Sequence, residues 1–204
     1  MLITNIRQTS PGRLTVCLED GSEIKTTLGT VTDLRLFSGR ELDEEQLDDF
    51  LLSSRRSLAR ERALELLSQR PMSRQELIRK LMEKGEEEEV ARYCADWLTE
   101  RGMIDDESYA RALGRHYAAK GYGAGRLKSE LSRRGIDREL WDEAAESMPL
   151  NSGKLDRFIS SRLKDPQNRD QVRKVCAALY RRGFSRDDIR DALERFHAQA
   201  EYEE

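Results

Sequence analysis

The chain has 204 residues, with 36 Lys and Arg against 39 Asp and Glu, a formal net charge of −3. Charged residues make up 37% and aromatics only 6%, which excludes one large globular core and favours small helical units with modest cores. No apolar run is long enough to span a membrane, no signal-peptide pattern opens the chain, and Cys17, Cys94 and Cys176 are sparse and odd in number, so the expectation is a cytoplasmic protein with unpaired thiols and no membrane contact.

Residues 2 to 28 read as strand. Leu14, Val16 and Leu18 alternate with polar or small residues, and Ser10-Pro11-Gly12 and Asp20-Gly21 are turn signals on either side. This pattern predicts an antiparallel meander of three short strands, and such a sheet needs a helix to cover it. Val31 through Phe37 is expected to supply that helix, ending before Gly39. Asp43 to Gln46 is a cap signal, with Leu42 and Leu47 as its hydrophobic staple, for a helix ending near Leu52.

From Ser54 onward the chain reads helical. Ala59, Ala63, Leu66 and Leu67 make one apolar face. Ser73 and Glu76 form a capping box with Met72 and Leu77 as staple, and Val90, Cys94, Trp97 and Leu98 face inward on a helix ending near Gly102. Asp105 is placed to cap the next helix, with Met103 and Ile104 held in the turn and Ile104 stapled to Tyr109. Helices are expected over about 106–119, 123–134 and 138–147, then a linker over 149–153, then about 154–163, 169–182 and 186–198, and a fraying tail over 201–204. The fold class is mainly α: tandem three-helix repeats over 54–104, 105–148 and 149–200, preceded by a small β-meander and helix segment over 1–53.

The repeat is carried by three glycines. Leu77-x3-Leu81-x2-Lys84-Gly85 recurs as Leu127-x3-Leu131-x2-Arg134-Gly135 and as Val175-x3-Leu179-x2-Arg182-Gly183, a spacing of roughly 50 residues typical of helical repeats. Apolar residues four apart share a helix face, the basic residue suits the negative helix end, and the glycine suits the left-handed cap. Ile136-Asp137 leads on to Trp141 and Phe184-Ser185 to Ile189, each a staple and cap, whereas Gly85 is succeeded by Glu86 to Glu89.

For catalysis the sequence is poor. His116 and His197 lie in different units with no ligand at metal spacing, and there is no phosphate loop or nucleophile elbow, so no catalytic residue, metal or cofactor is expected. The informative feature is positive charge. Arg111, Arg115, Lys120, Arg126, Lys128, Arg133 and Arg134 crowd one stretch among Tyr109, His116, Tyr117 and Tyr122, with Gly121, Gly123 and Gly125 at the turn and Glu130 the one acid. Arg55, Arg56, Arg60 and Arg62, and beyond them Arg70 and Arg74, form a second basic run. Such runs are ordinarily solvated helix faces. The functional reading is a surface for a nucleic-acid backbone or an acidic protein groove, and the net acidity elsewhere argues against a dedicated high-affinity DNA binder.

Ala63-Leu64-Glu65-Leu66-Leu67-Ser68-Gln69-Arg70 and Ser73-x2-Glu76-Leu77 resemble the opening of the RecX family of recombinase regulators, and Arg101-Gly102-Met103-Ile104-Asp105-Asp106-x2-Tyr109-Ala110 resembles that family's most characteristic segment. Lys120-Gly121 through Gly135-Ile136 is similar to the next segment of the family pattern. The resemblance covers about 55–148 well and 154–198 more loosely, where the Asp-Asp-x2-Tyr-Ala start is missing. It implies an elongated, curved array of repeats in a protein with no catalytic residues of its own. It further implies binding to the RecA–DNA filament, limiting its extension, ATP turnover and strand exchange. The basic stretch in a net acidic chain predicts weak, sequence-independent contacts to single-stranded and double-stranded DNA, and a monomer is expected. The alternative from the residues alone is a stand-alone helical nucleic-acid-binding protein with no recombinase partner.

Overall fold

The computed structural model describes residues 1–149 and 152–202, which fall into two compact units, Met1–Ile104 and Asp105–Glu204. In the first unit β1 (Ile3–Ser10), β2 (Arg13–Leu18) and β3 (Glu23–Thr27) form the expected antiparallel meander in the order β1-β2-β3. Ile3, Val16 and Leu18 face a core completed by Leu36, Leu42 and Phe50. The covering helix is not where the apolar pattern put it. α1 (Leu28–Asp33) starts early because the Thr27 hydroxyl accepts from the Thr30 backbone nitrogen, and it ends before Arg35, whose φ is +50°. Leu34 and Arg35 are therefore turn and Leu36 and Phe37 irregular, and the sheet is closed instead by the first turns of α2 (Glu44–Gln69), from which Phe50 is fully buried.

α2 begins as expected, with a reciprocal capping box between Asp43 and Gln46. It does not stop near Leu52. The Ser54 hydroxyl donates to Thr26 Oγ1 at 2.9 Å and Ser57 Oγ donates to the Ser54 carbonyl at 3.0 Å. Ser54 and Ser57 are buried and satisfied, so the helix continues for 26 residues. Its second half packs Ala59, Ala63 and Leu66 against α3 (Arg74–Glu83) and α4 (Glu88–Glu100). Met72 and Leu77 are both buried here, as the staple requires. Cys94 is buried in the same core, and burial pushes its thiol up to about 11.

At the junction Gly102 adopts φ +66° and the Asp105 carboxylate accepts from the Ser108 backbone nitrogen at 2.9 Å. Of the two apolar residues expected in the turn, Ile104 is buried and Met103 is 52% exposed. Ile104 is buried in the first unit's core, and Tyr109 packs on a core of the second unit.

The second unit holds α5 (Asp106–Ala119), α6 (Ala124–Arg134), α7 (Leu140–Glu146), α8 (Ser152–Arg162), α9 (Arg169–Arg181) and α10 (Arg186–Tyr202). Ala110, Leu113, Leu127, Leu131, Ile136 and Ala144 form one core, and Leu155, Ile159, Leu163, Val175, Leu179 and Ile189 form another. Gly85, Gly135 and Gly183 have φ of +93°, +71° and +86°, the left-handed conformation that the repeat pattern assigns to them. Ile136 is buried and its carbonyl accepts from Trp141 Nε1 at 2.9 Å; Asp137 braces a turn ahead of α7, accepting from the Glu139 nitrogen at 3.2 Å, so that helix starts later than expected. Ser185 and Asp188 cap α10 reciprocally at 3.0 and 2.9 Å. Of the linker expected over 149–153, residues 150 and 151 lie outside the described residues, as do 203 and 204 of the tail; α10 itself runs through Tyr202.

Candidate nucleic-acid interface

The seven cations expected to form one basic face divide by partner. Arg111 on α5 pairs with Glu107 and, at 3.1 Å, with Glu143. Lys128 on α6 reaches Asp142 at 2.5 Å, and this contact holds the Asp142 carboxyl below its ordinary value. Arg133 and Arg134 converge on Glu130 at 2.6 and 2.7 Å. Arg134 also donates to the Tyr109 hydroxyl and lies 5.5 Å from that ring's centre. Among the described residues, Arg115, Lys120 and Arg126 have no ion-pair partner. Arg126 lies 6.0 Å from the centre of the Tyr122 ring, and its charge also acts on the Tyr117 phenol.

Glu130 is 8% exposed, and its position on α6 one turn before two arginines explains the arrangement. The Arg133 guanidinium, with Arg134 behind it, outweighs the cost of burial and holds the carboxyl down to about 2. Tyr117, close to the same carboxylate, has its phenol pushed up by burial and by the Glu130 charge. The single acid of the basic stretch is thus a structural anchor, and Arg133 and Arg134 are tied to it.

The second basic run is more fully committed. Arg55 faces Glu87 at 3.1 Å, Arg56 faces Glu89 at 3.9 Å and stacks 4.1 Å over Tyr93, and Arg62 pairs with Glu86. Arg60 lies 5.1 Å over Trp97. Arg70 and Arg74 pair with Glu76 and Asp96 at 2.7 and 2.6 Å. The acidic run after Gly85, which had no place in the repeat pattern, supplies counter-charge to α2.

The glycines at the turn form a contact that their local pattern does not disclose. Gly123 and Gly125 donate their backbone nitrogens to the carbonyls of Arg182 and Gly183, both at 2.9 Å. A β-carbon on Gly123 would lie 2.6 Å from the Gly183 carbonyl carbon, and one on Gly183 would overlap the Arg126 backbone nitrogen. This clasp seats the α9–α10 turn directly on the start of α6. Beside it opens a cleft of about 480 Å³ whose lining includes Arg126, Lys128, Ser129, Tyr180, Arg181 and Ser185. Tyr180 and Arg181 are absent from the sequence-derived candidates. The available signal was position: Val175 and Leu179 carry the buried face of α9, which turns Tyr180 outward.

Among the described residues no group of His, Cys, Asp and Glu is arranged to hold a metal ion, and no helix is long and apolar enough to cross a membrane. Two family descriptions match the chain in tandem, "RecX, first three-helix domain" over residues 59–98 and "RecX, second three-helix domain" over 105–144. Proteins named regulatory protein RecX are similar: one from Stenotrophomonas maltophilia is 39% identical over 65% of this chain and 83% of its own. One from Pseudomonas putida is 33% identical over 64% of this chain and 85% of its own. A crystal structure of regulatory protein RecX superposes with a TM-score of 0.72 at 26% identity, covering 93% of this chain and 98% of that one. The structure of RecX from Lactobacillus salivarius, at 22% identity and a TM-score of 0.62, shares the fold over 71% of this chain and 97% of its own. The tandem three-helix domains, the left-handed glycines that end their helices and these relatives together show that the chain belongs to the RecX family of regulatory proteins.

Proposed function

We propose that this chain regulates a recombinase by binding, not by chemistry of its own: it docks on the RecA–DNA filament and limits filament extension, ATP turnover and strand exchange. The observation that carries the reading is the trio Arg115, Lys120 and Arg126, cations without ion-pair partners among the described residues of the second three-helix domain. Unpaired cations on a folded surface attract a polyanion by counterion release, without sequence preference and with steep salt dependence. Arg111, Lys128, Arg133 and Arg134 flank the trio but are already paired with carboxylates, as Arg55, Arg56 and Arg62 are on α2, while Arg60 lies over the Trp97 ring. The repeats are the working units, and binding to naked DNA is secondary.

The test is RecA ATP turnover on single-stranded DNA, with the chain sub-stoichiometric to RecA and naked DNA in excess. Slowed turnover under those conditions supports a filament-directed regulator. Inhibition that appears only when the chain saturates the DNA would instead make it a stand-alone nucleic-acid binder.

A further inference from the structure

We propose that the cleft beside the glycine clasp is a nucleotide subsite: one unstacked base lies on the Tyr180 ring, and the phosphates next to it are held by Arg126, Lys128 and Arg181. The proposal rests on the filament-binding reading above and narrows it, assigning this face to nucleic acid and not to an acidic protein groove.

The cleft's volume, about 480 Å³, is in the range of ligand pockets. Its lining holds three cations and no carboxylate, in a chain where acidic residues outnumber basic ones. Arg126 and Arg181 have no ion-pair partner among the described residues, and Lys128 is shared with the exposed Asp142. The clasp already occupies the backbone nitrogens of Gly123 and Gly125, and the cleft's positive charge comes from the side chains of Arg126, Lys128 and Arg181.

Tyr180 supplies the second half of the argument. It is 58% exposed, and its side chain makes no hydrogen bond or ring contact among the described residues. The other tyrosines near the basic stretch are engaged: Tyr109 lies beneath Arg134, and Tyr117 and Tyr122 sit 5.6 Å apart. An unused aromatic ring beside two unpaired guanidinium groups matches the chemistry of a base with its phosphates. Stacking on a side chain needs a base face that is not already covered by its neighbours, which selects single-stranded over duplex nucleic acid. The clasp makes the arrangement rigid, since it fixes Tyr180 and Arg181 of α9 against Arg126 of α6 through backbone contacts.

The experiment uses the full chain without RecA, so its failure leaves the filament assay untouched. Binding of a labelled thymidine oligomer is read by fluorescence anisotropy at low salt, beside an abasic oligomer of the same length and with free thymidine triphosphate as competitor. The wild-type chain is expected to favour the base-bearing oligomer by about tenfold. Tyr180→Ala should erase that preference while keeping the affinity for the abasic oligomer, and Tyr180→Trp should retain it. Arg126→Gln combined with Arg181→Gln should weaken both oligomers alike. Displacement by free triphosphate at concentrations matching its phosphate content would assign the subsite to a free nucleotide of the same chemistry and overturn the strand assignment; displacement only by oligomer supports it. Equal affinity of the wild-type chain for base-bearing and abasic oligomers, or a preference that survives in Tyr180→Ala, overturns the proposal.

Discussion

On α2, Arg55, Arg56 and Arg62 face Glu87, Glu89 and Glu86, and Arg60 lies over Trp97. In the second unit Arg115, Lys120 and Arg126 face no acid among the described residues, although the same stretch also contains Arg111, Lys128, Arg133 and Arg134, which do. Two tracts that look alike as strings of basic letters thus differ in free charge. A polyanion approaching Arg55, Arg56 or Arg62 must displace a carboxylate that is already in place, and at the trio it displaces only solvent and counterions. The useful quantity for binding is the cations left over after the fold has paired its own.

The sharpest way to break that contrast is charge reversal. Arg115→Glu, Lys120→Glu and Arg126→Glu together should weaken filament binding by orders of magnitude at low salt, because attraction becomes repulsion. Each change lies on the surface and should alter stability by about 0.5 kcal/mol or less, seen in denaturant melts. Arg55→Glu with Arg62→Glu should reduce RecA inhibition far less. Equal losses from the two sets would mean that pairing does not govern the surface.

Gly183→Ala probes the clasp. A β-carbon there meets the Arg126 backbone and the φ of +86° is unsuited to alanine, so a loss of about 3 kcal/mol is expected in chemical denaturation. A near-native melt would mean the α9–α10 turn can lift off α6 without cost.

Arg133→Ala with Arg134→Ala should cost about 1–3 kcal/mol by leaving the buried Glu130 carboxylate without its guanidinium partners. The depressed carboxyl sets the sign with pH. Its stabilisation is complete above the ordinary value of 4.5 and is lost as pH falls through about 2, because the unfolded chain takes up the proton first. Acid titration of the wild-type chain against Glu130→Gln should show their stability difference shrinking across that window; a difference that is flat with pH would remove Glu130 from the account. Gly135→Val, the smallest effect, should cost on the order of 1 kcal/mol because a β-branched residue resists φ +71°, and thermal melts report it.

What the sequence disclosed was local. The left-handed glycines, the caps at Asp43 and Asp105 and the extents of α5, α6 and α9 rest on contacts within a few residues, so their signals survive in the string. What it hid was tertiary. The helix expected to end near Leu52 runs on past Ser54, whose hydroxyl donates to Thr26, 28 residues earlier. Arg133 and Arg134 read as free surface charge until Glu130 is seen to be buried between them. Gly123 and Gly125 read as turn residues until Gly183 arrives from the next repeat. The candidate surface was therefore legible as a region, and its division into committed and available charge was not.

The uninterrupted α2 ties two cores to one rod. A single helix of 26 residues, about 39 Å long, places Phe50 in the core beneath the sheet and Ala59, Ala63 and Leu66 in the core of the first three-helix domain. Neither core can open without fraying the rod that supports the other. The sheet and the domain should therefore behave as a single cooperative foldon, with their slowest amides exchanging together. Removal of residues 1–53 would strip the Asp43 cap and the first turns of that rod, so a shortened chain would report the damage to its helical core along with the loss of its strands.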